Sequence, residues 1–157
     1  MLDGYKSHFN IVGPGKELAV YFKEDNFEHV QYVKKDKMQL TKLKSSRMDI
    51  IAVYRSEQGN SSELLEHIKE LITPEKNTII CGDFNICYFA NRRNRVSKYL
   101  EENGFTQLVK EATQGRLLDH FYMGMCNNEQ QTTSVYRYSP YYVDHDAICT
   151  TVNFHEQ

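Results

Sequence analysis

Gly82-Asp83-Phe84-Asn85 places a carboxylate and a carboxamide two positions apart, directly after the apolar run 77–81. At that spacing, just past a strand end and behind a glycine, both side chains can aim into one pocket. Their oxygens are hard ligands, suited to Mg2+ or Mn2+. The same four residues also suit a turn closed by Asx side chains. Leu118-Asp119-His120 puts a charge inside an apolar run, which is costly unless the charge is paired or hydrogen-bonded. Asp144-His145-Asp146 sets an imidazole between two carboxylates. That pattern fits a metal site, an acid/base catalyst steadied by an aspartate, or a charged turn. Tyr54-Arg55 closes a further apolar run, 48–54.

These residues need elements to hold them. Runs 18–22 and 48–54 are β-branched and aromatic and read as strands, with 28–33 and 38–43 as weaker ones. Asn60, Ser61 and Ser62 offer N-cap oxygens, and Leu64, Leu65, Ile68, Leu71 and Ile72 then form one apolar helical stripe that Thr73-Pro74 ends. Run 77–81 has the composition of a buried central strand. A second helix is predicted over 91–102, with Gly104 as a left-handed C-cap. Strands over 117–123, 132–138 and 147–152 complete the chain. The alternation predicts one α/β layered sandwich over residues 1–157, with the polar interruptions at strand ends.

Composition bounds the function. The 19 basic and 21 acidic residues leave a net charge of −2, against binding nucleic acid by bulk charge. Locally, six basic residues and one acid lie between Lys34 and Arg47, and Arg92, Arg93, Arg95 and Lys98 form a second group. Either is a solvated face or a patch for a polyanion. Cys81, Cys87, Cys126 and Cys149 form no CxxC pair, so reduced thiols in an intracellular chain are expected. No apolar run approaches the ~20 residues of a membrane span.

Taken in order, IIAVYRSEQGN, IICGDFN, GRLLDHFYM and YYVDHDAI resemble the endonuclease/exonuclease/phosphatase superfamily. They look most like the endonuclease modules of retrotransposon and Helitron-like mobile elements. The resemblance implies a DNase I-like layered α/β sandwich and metal-dependent hydrolysis of phosphodiester bonds in DNA, with Mg2+ or Mn2+ as cofactor. It implies that Asp83 orients the attacking water, that Asn85 stabilises charge on the phosphate, and that Asp144 binds the metal. His145 would contact the scissile phosphate, Asp119 would hold that histidine, and Tyr54 would sit near the phosphate. Arg92, Arg93 and Arg95 are candidates for holding the substrate backbone. A nuclear destination is likewise implied.

The chain departs from the family pattern at its start. An early strand ending in asparagine and a strand ending in the main metal-binding glutamate are not found, and Val143 stands where the family has serine. The chain therefore reads as the later part of the fold without its first strands, with weak metal binding and an exposed sheet edge open to self-association. A non-catalytic mobile-element remnant and a small-substrate phosphatase are the competing expectations.

Overall fold

The computed structural model describes residues 5–11, 17–23, 27–89, 94–112, 115–124, 131–138, 145 and 147–154. Strands β1 (Lys6–Ile11) and β2 (Glu17–Phe22) form an antiparallel hairpin. They are followed by β3 (Glu28–Lys35), β4 (Met38–Lys44), β5 (Met48–Arg55), helix α1 (Ser61–Leu71) and β6 (Asn77–Asp83). Helix α2 (Arg95–Glu102), β7 (Phe105–Gln107), β8 (Asp119–Gly124), β9 (Gln131–Tyr138) and β10 (Ala147–Phe154) complete the order. Six strands make one sheet in the order β3-β4-β5-β6-β8-β7, and β9 pairs with β10 in a separate hairpin. Within the large sheet β5 and β6 run parallel, joined through α1, while the other neighbours run antiparallel. The apolar run 77–81 does lie in a central strand.

Period-two alternation gives the sheet two apolar faces. Leu40, Ile51, Val53, Ile80 and Tyr122 face the helices, where they meet Leu64, Leu65, Ile68 and Leu71 of α1 and Val96 and Leu100 of α2. Each such side chain contributes about 1.5–3 kcal/mol when fully buried. On the opposite face Met48, Ile79 and Met123 pack with Phe121 and with Val152 of β10, so the β9–β10 hairpin covers that side. The β1–β2 hairpin lies over β4 and β5, and Gln39 of β4 accepts the Leu18 N–H at 2.9 Å. The result is the layered α/β sandwich that the alternation predicted.

The local signals acted as expected at α1. The Asn60 side chain accepts from the N–H groups of Ser62 and Glu63, satisfying two donors that a helix start leaves open. Helix α2 starts later than predicted, at Arg95, because Asn94 stands outside it as the cap and its side chain takes the Ser97 N–H. Of its expected start, residues 91–93 lie outside the described residues. Strand β8 likewise begins at Asp119 rather than at 117. The carbonyls of Leu117 and Leu118 instead receive the N–H groups of Tyr88 and Phe84. Strands β1 and β7 were not foreseen. The first mixes polar and apolar residues and the second has only three. The edges of the large sheet are β3, which ends in Lys34-Lys35, and the short β7, both forms that discourage edge-to-edge pairing.

Candidate active site

Because β5 and β6 are parallel and β8 is antiparallel to β6, the ends of β5 and β6 and the start of β8 meet at one edge of the sheet. Register makes this specific: Tyr54 lies opposite Asp83, and Asp83 opposite Asp119. Counting by two from Ile51, Ile80 and Tyr122 puts all three on the face away from the helices. His145, between β9 and β10 in sequence, reaches the same place and comes within 2.8 Å of Asp119, Nδ1 to Oδ2. One donor atom each of Asp83, Asp119 and His145 lies within 4.8 Å of the others. Residues 26 to 62 positions apart in sequence thus meet at one edge of the sheet.

The Gly82–Asn85 turn is held by its own side chains. The Asn85 N–H donates to Asp83 Oδ1 at 2.9 Å, and the Asn85 amide donates to Asp83 Oδ2 at 3.2 Å and to the Arg55 carbonyl at 2.9 Å. GDFN is thus an Asx-closed turn whose Asp83 carboxylate lies close to Asp119 and His145. Asn85 sits at φ 49°, a left-handed conformation that asparagine tolerates better than most residues. Gly82 has φ 134°, and a Cβ there would lie 2.0 Å from the Val53 carbonyl oxygen. Only glycine fits where β6 passes β5 at this edge.

Burial pushes the Asp83 carboxyl above its ordinary range, and the negative charge of Asp119 adds to this. The Asn85 N–H and the positive groups of His145 and Arg55 oppose the rise. A carboxylate with a raised pKa is a stronger base, as proton abstraction from water requires.

The structure adds a residue that the motifs did not single out for a role. Arg55 is buried, and all its donor nitrogens face carbonyls. Nε donates to Phe84 at 2.8 Å and Nη2 to Asn85 at 3.2 Å, while Nη1 serves Ser56, Glu57 and Gly59. One guanidinium thus fastens the Gly82–Asn85 turn to the end of β5. Gly59 makes room for it, since a Cβ there would lie 2.7 Å from Arg55 Cγ. The available signal was a charge closing an apolar strand, which must find acceptors if buried.

The basic groups divide. Lys34, Lys35 and Lys37 lie at the β3–β4 turn beside the site edge, since Met38 pairs with Arg55. Lys44 and Arg47 lie at the far edge. Lys42 is buried there against Asp49 at 3.1 Å, where it also donates to the Leu71 carbonyl and to Thr73. The 34–47 group is therefore not one patch. Arg95 begins α2 and, with Arg55, Asn85 and Asn94, lines a cleft of about 460 Å³ next to the turn. Arg92, Arg93 and Asp144 lie outside the described residues, as does Val143.

Asp83 and Asp119 are two carboxylates facing each other across a strand pair, a donor set that fits a hard divalent cation. His145 fits it less well through Nδ1, which is already directed at Asp119. Mg2+ would take water at its remaining positions. Among the described residues no helix is long and apolar enough to cross a membrane.

No protein-family model matches the sequence, and no curated protein matches it. Solved structures do. The endonuclease domain of TRAS1, a telomere-specific non-LTR retrotransposon, matches with a TM-score of 0.67 at 15% identity, over 98% of this chain and 79% of its own. CdtB, the biologically active subunit of cytolethal distending toxin, matches at 0.62 and 15% identity, over 92% of this chain and 66% of its own. An endonuclease/exonuclease/phosphatase family protein from Leptotrichia buccalis C-1013-b matches at 0.58 and 15% identity, over 99% and 73%. The chain shares the fold of these three proteins, a DNase I-like layered α/β sandwich.

Proposed function

We propose that the chain is a phosphodiesterase that hydrolyses DNA with the help of a divalent metal, Mg2+ or Mn2+. The observation that carries this reading is Asp83 standing beside the His145–Asp119 pair at one strand edge. Asp83 takes a proton from the attacking water, for which its raised proton affinity suits it. Asp119 accepts from Nδ1 of His145, and Nε2 of the same ring is the atom proposed to meet the phosphate and stabilise the charge that develops there. Asn85 contributes amide hydrogens to the same end once one of them leaves Asp83. Tyr54, next to Asp83 in register, supports the phosphate. When bound, a metal would neutralise phosphate charge, and Asp144 is the residue proposed to hold it, with Asp83 and Asp119 nearby. Lys34, Lys35, Lys37 and Arg95 at the site edge suit a polyanionic backbone, and Arg92 and Arg93 are proposed to extend it. The likeness to a retrotransposon endonuclease domain supports a mobile-element origin, and a nuclear place of action is proposed with it.

The test is nicking of supercoiled plasmid while Mg2+ is titrated, with Asp83→Ala alongside. Metal-dependent nicking that disappears in the variant is expected. Equal traces in both proteins would mean contamination and would leave the remnant reading standing. DNA binding should weaken steeply with salt, and salt-independent binding would count against a backbone-reading nuclease.

A further inference from the structure

His120 is fully buried, lies one residue beyond Asp119, and takes no part in the chemistry above. Its two ring nitrogens face different kinds of partner. Nε2 lies 2.8 Å from the Ile86 carbonyl oxygen and 3.1 Å from that of Leu117. Carbonyls only accept, so Nε2 carries a hydrogen. Nδ1 lies 3.1 Å from the Tyr122 hydroxyl. In the neutral ring Nδ1 accepts, so Tyr122 donates to it. Tyr122 then accepts from the Ser97 hydroxyl at 2.7 Å, and Ser97 accepts from the Asn94 amide at 2.8 Å. Every hydrogen in this buried chain has one consistent position.

Both ends of the chain meet the site. Asn94 caps α2 and lines the cleft beside the catalytic turn. Ile86 follows Asn85 directly, and the Leu117 carbonyl also accepts the Tyr88 N–H at 3.0 Å. Phe84, between Asp83 and Asn85, stacks on the imidazole with centroids 4.7 Å apart and planes 14° apart. The ring therefore supports segment 84–88 from below by both stacking and donation.

We propose that His120 is a positioning residue, which as the Nε2–H tautomer fixes segment 84–88 and so sets the placement of Asp83 and Asn85. Its effect on the turn stands on geometry alone, while its effect on cleavage rests on the phosphodiesterase reading. Two variants separate the contributions. His120→Phe keeps a ring to stack on Phe84 but removes the donor, whereas His120→Gln returns an amide donor near the place of Nε2.

The experiment uses the full chain. NMR with 15N-labelled histidine reads the tautomer, and amide hydrogen exchange at Phe84, Asn85 and Tyr88 reads the turn. Wild type should show a neutral Nε2–H ring. His120→Phe should speed exchange at those three amides roughly tenfold relative to the β4–β5 ladder, and His120→Gln should restore most of the protection. On plasmid, kcat should fall in His120→Phe and recover in His120→Gln, with KM little changed. An imidazolium, an Nδ1–H tautomer, or exchange no faster at the turn than in the β4–β5 ladder would overturn the proposal. The expected tautomer and exchange in a wild type that does not cleave would sustain the positioning role and sink the phosphodiesterase reading. Should His120→Phe fail to fold, Tyr122→Phe replaces it: the Nδ1 resonance must move as its donor is lost, and an unmoved resonance overturns the chain.

Discussion

Replacing Arg55 should release the Gly82–Asn85 turn, and the size of the effect follows from its contacts. The guanidinium supplies the donors for five carbonyls, two of them on Phe84 and Asn85 about 30 residues away in sequence. Hydrogen bonds from a charged donor contribute about 1.5–3 kcal/mol each. Counting only the two that cross to the turn gives roughly 3–6 kcal/mol. Arg55→Met recovers some of that by no longer burying a charge, which leaves a net loss of about 3 kcal/mol. Arg55→Lys keeps the charge but has one nitrogen, which cannot reach both the turn and the 56–59 segment. It should lose about 2 kcal/mol. Urea unfolding of both variants against wild type provides the measurement, with unchanged m-values showing that only stability moved. Gly59→Ala should mimic the loss, because its Cβ would collide with Arg55. A loss below 1 kcal/mol in Arg55→Met, or an Arg55→Lys variant as stable as wild type, would refute the view that this fork holds the turn.

Other outcomes can be checked alongside. Gly82→Ala should destabilise severely, by about 3 kcal/mol or more in urea unfolding, because its Cβ would lie 2.0 Å from a backbone oxygen; a mild effect would contradict the close passage of β5 and β6. Asp119→Asn should lower kcat on plasmid by on the order of 10³ or more by releasing the tautomer and tilt of His145, with little change in melting temperature. Retention of near-normal kcat would remove Asp119 from the mechanism. Acid should destabilise the fold partly through His120, whose imidazole burial holds below its ordinary 6.5, against the Leu117 and Ile86 carbonyls and the charge of Asp119. Below about pH 6.5 the unfolded chain binds a proton that the folded chain does not, so stability present above that pH is lost as pH falls through the window. The drop in urea midpoint from pH 7 to pH 5 should be smaller in His120→Gln, and equal drops would refute the assignment.

Local chemistry was legible in the sequence. Asn60 and the apolar stripe after it specify α1, and the short run 77–81 with Ile79, Ile80 and Cys81 before Gly82 specifies a central strand, because caps and periodicity act over a few residues. The order of GDFN, LDH and DHD indicated the DNase I-like fold. Asp119 was visible as a charge inside an apolar run, Asp83 as a carboxylate just past a strand end, and His145 as an imidazole between two carboxylates. Only the tertiary structure decided that they meet, since that depends on the parallel pairing of β5 with β6 and the antiparallel pairing of β6 with β8. It also divided the basic run, burying Lys42 against Asp49 while leaving Lys35 and Lys37 exposed beside the site. It gave Arg55 and His120 their roles as well. Their partners are backbone carbonyls, present at every residue, so no side-chain pattern could reveal which ones the folded chain would bring within reach.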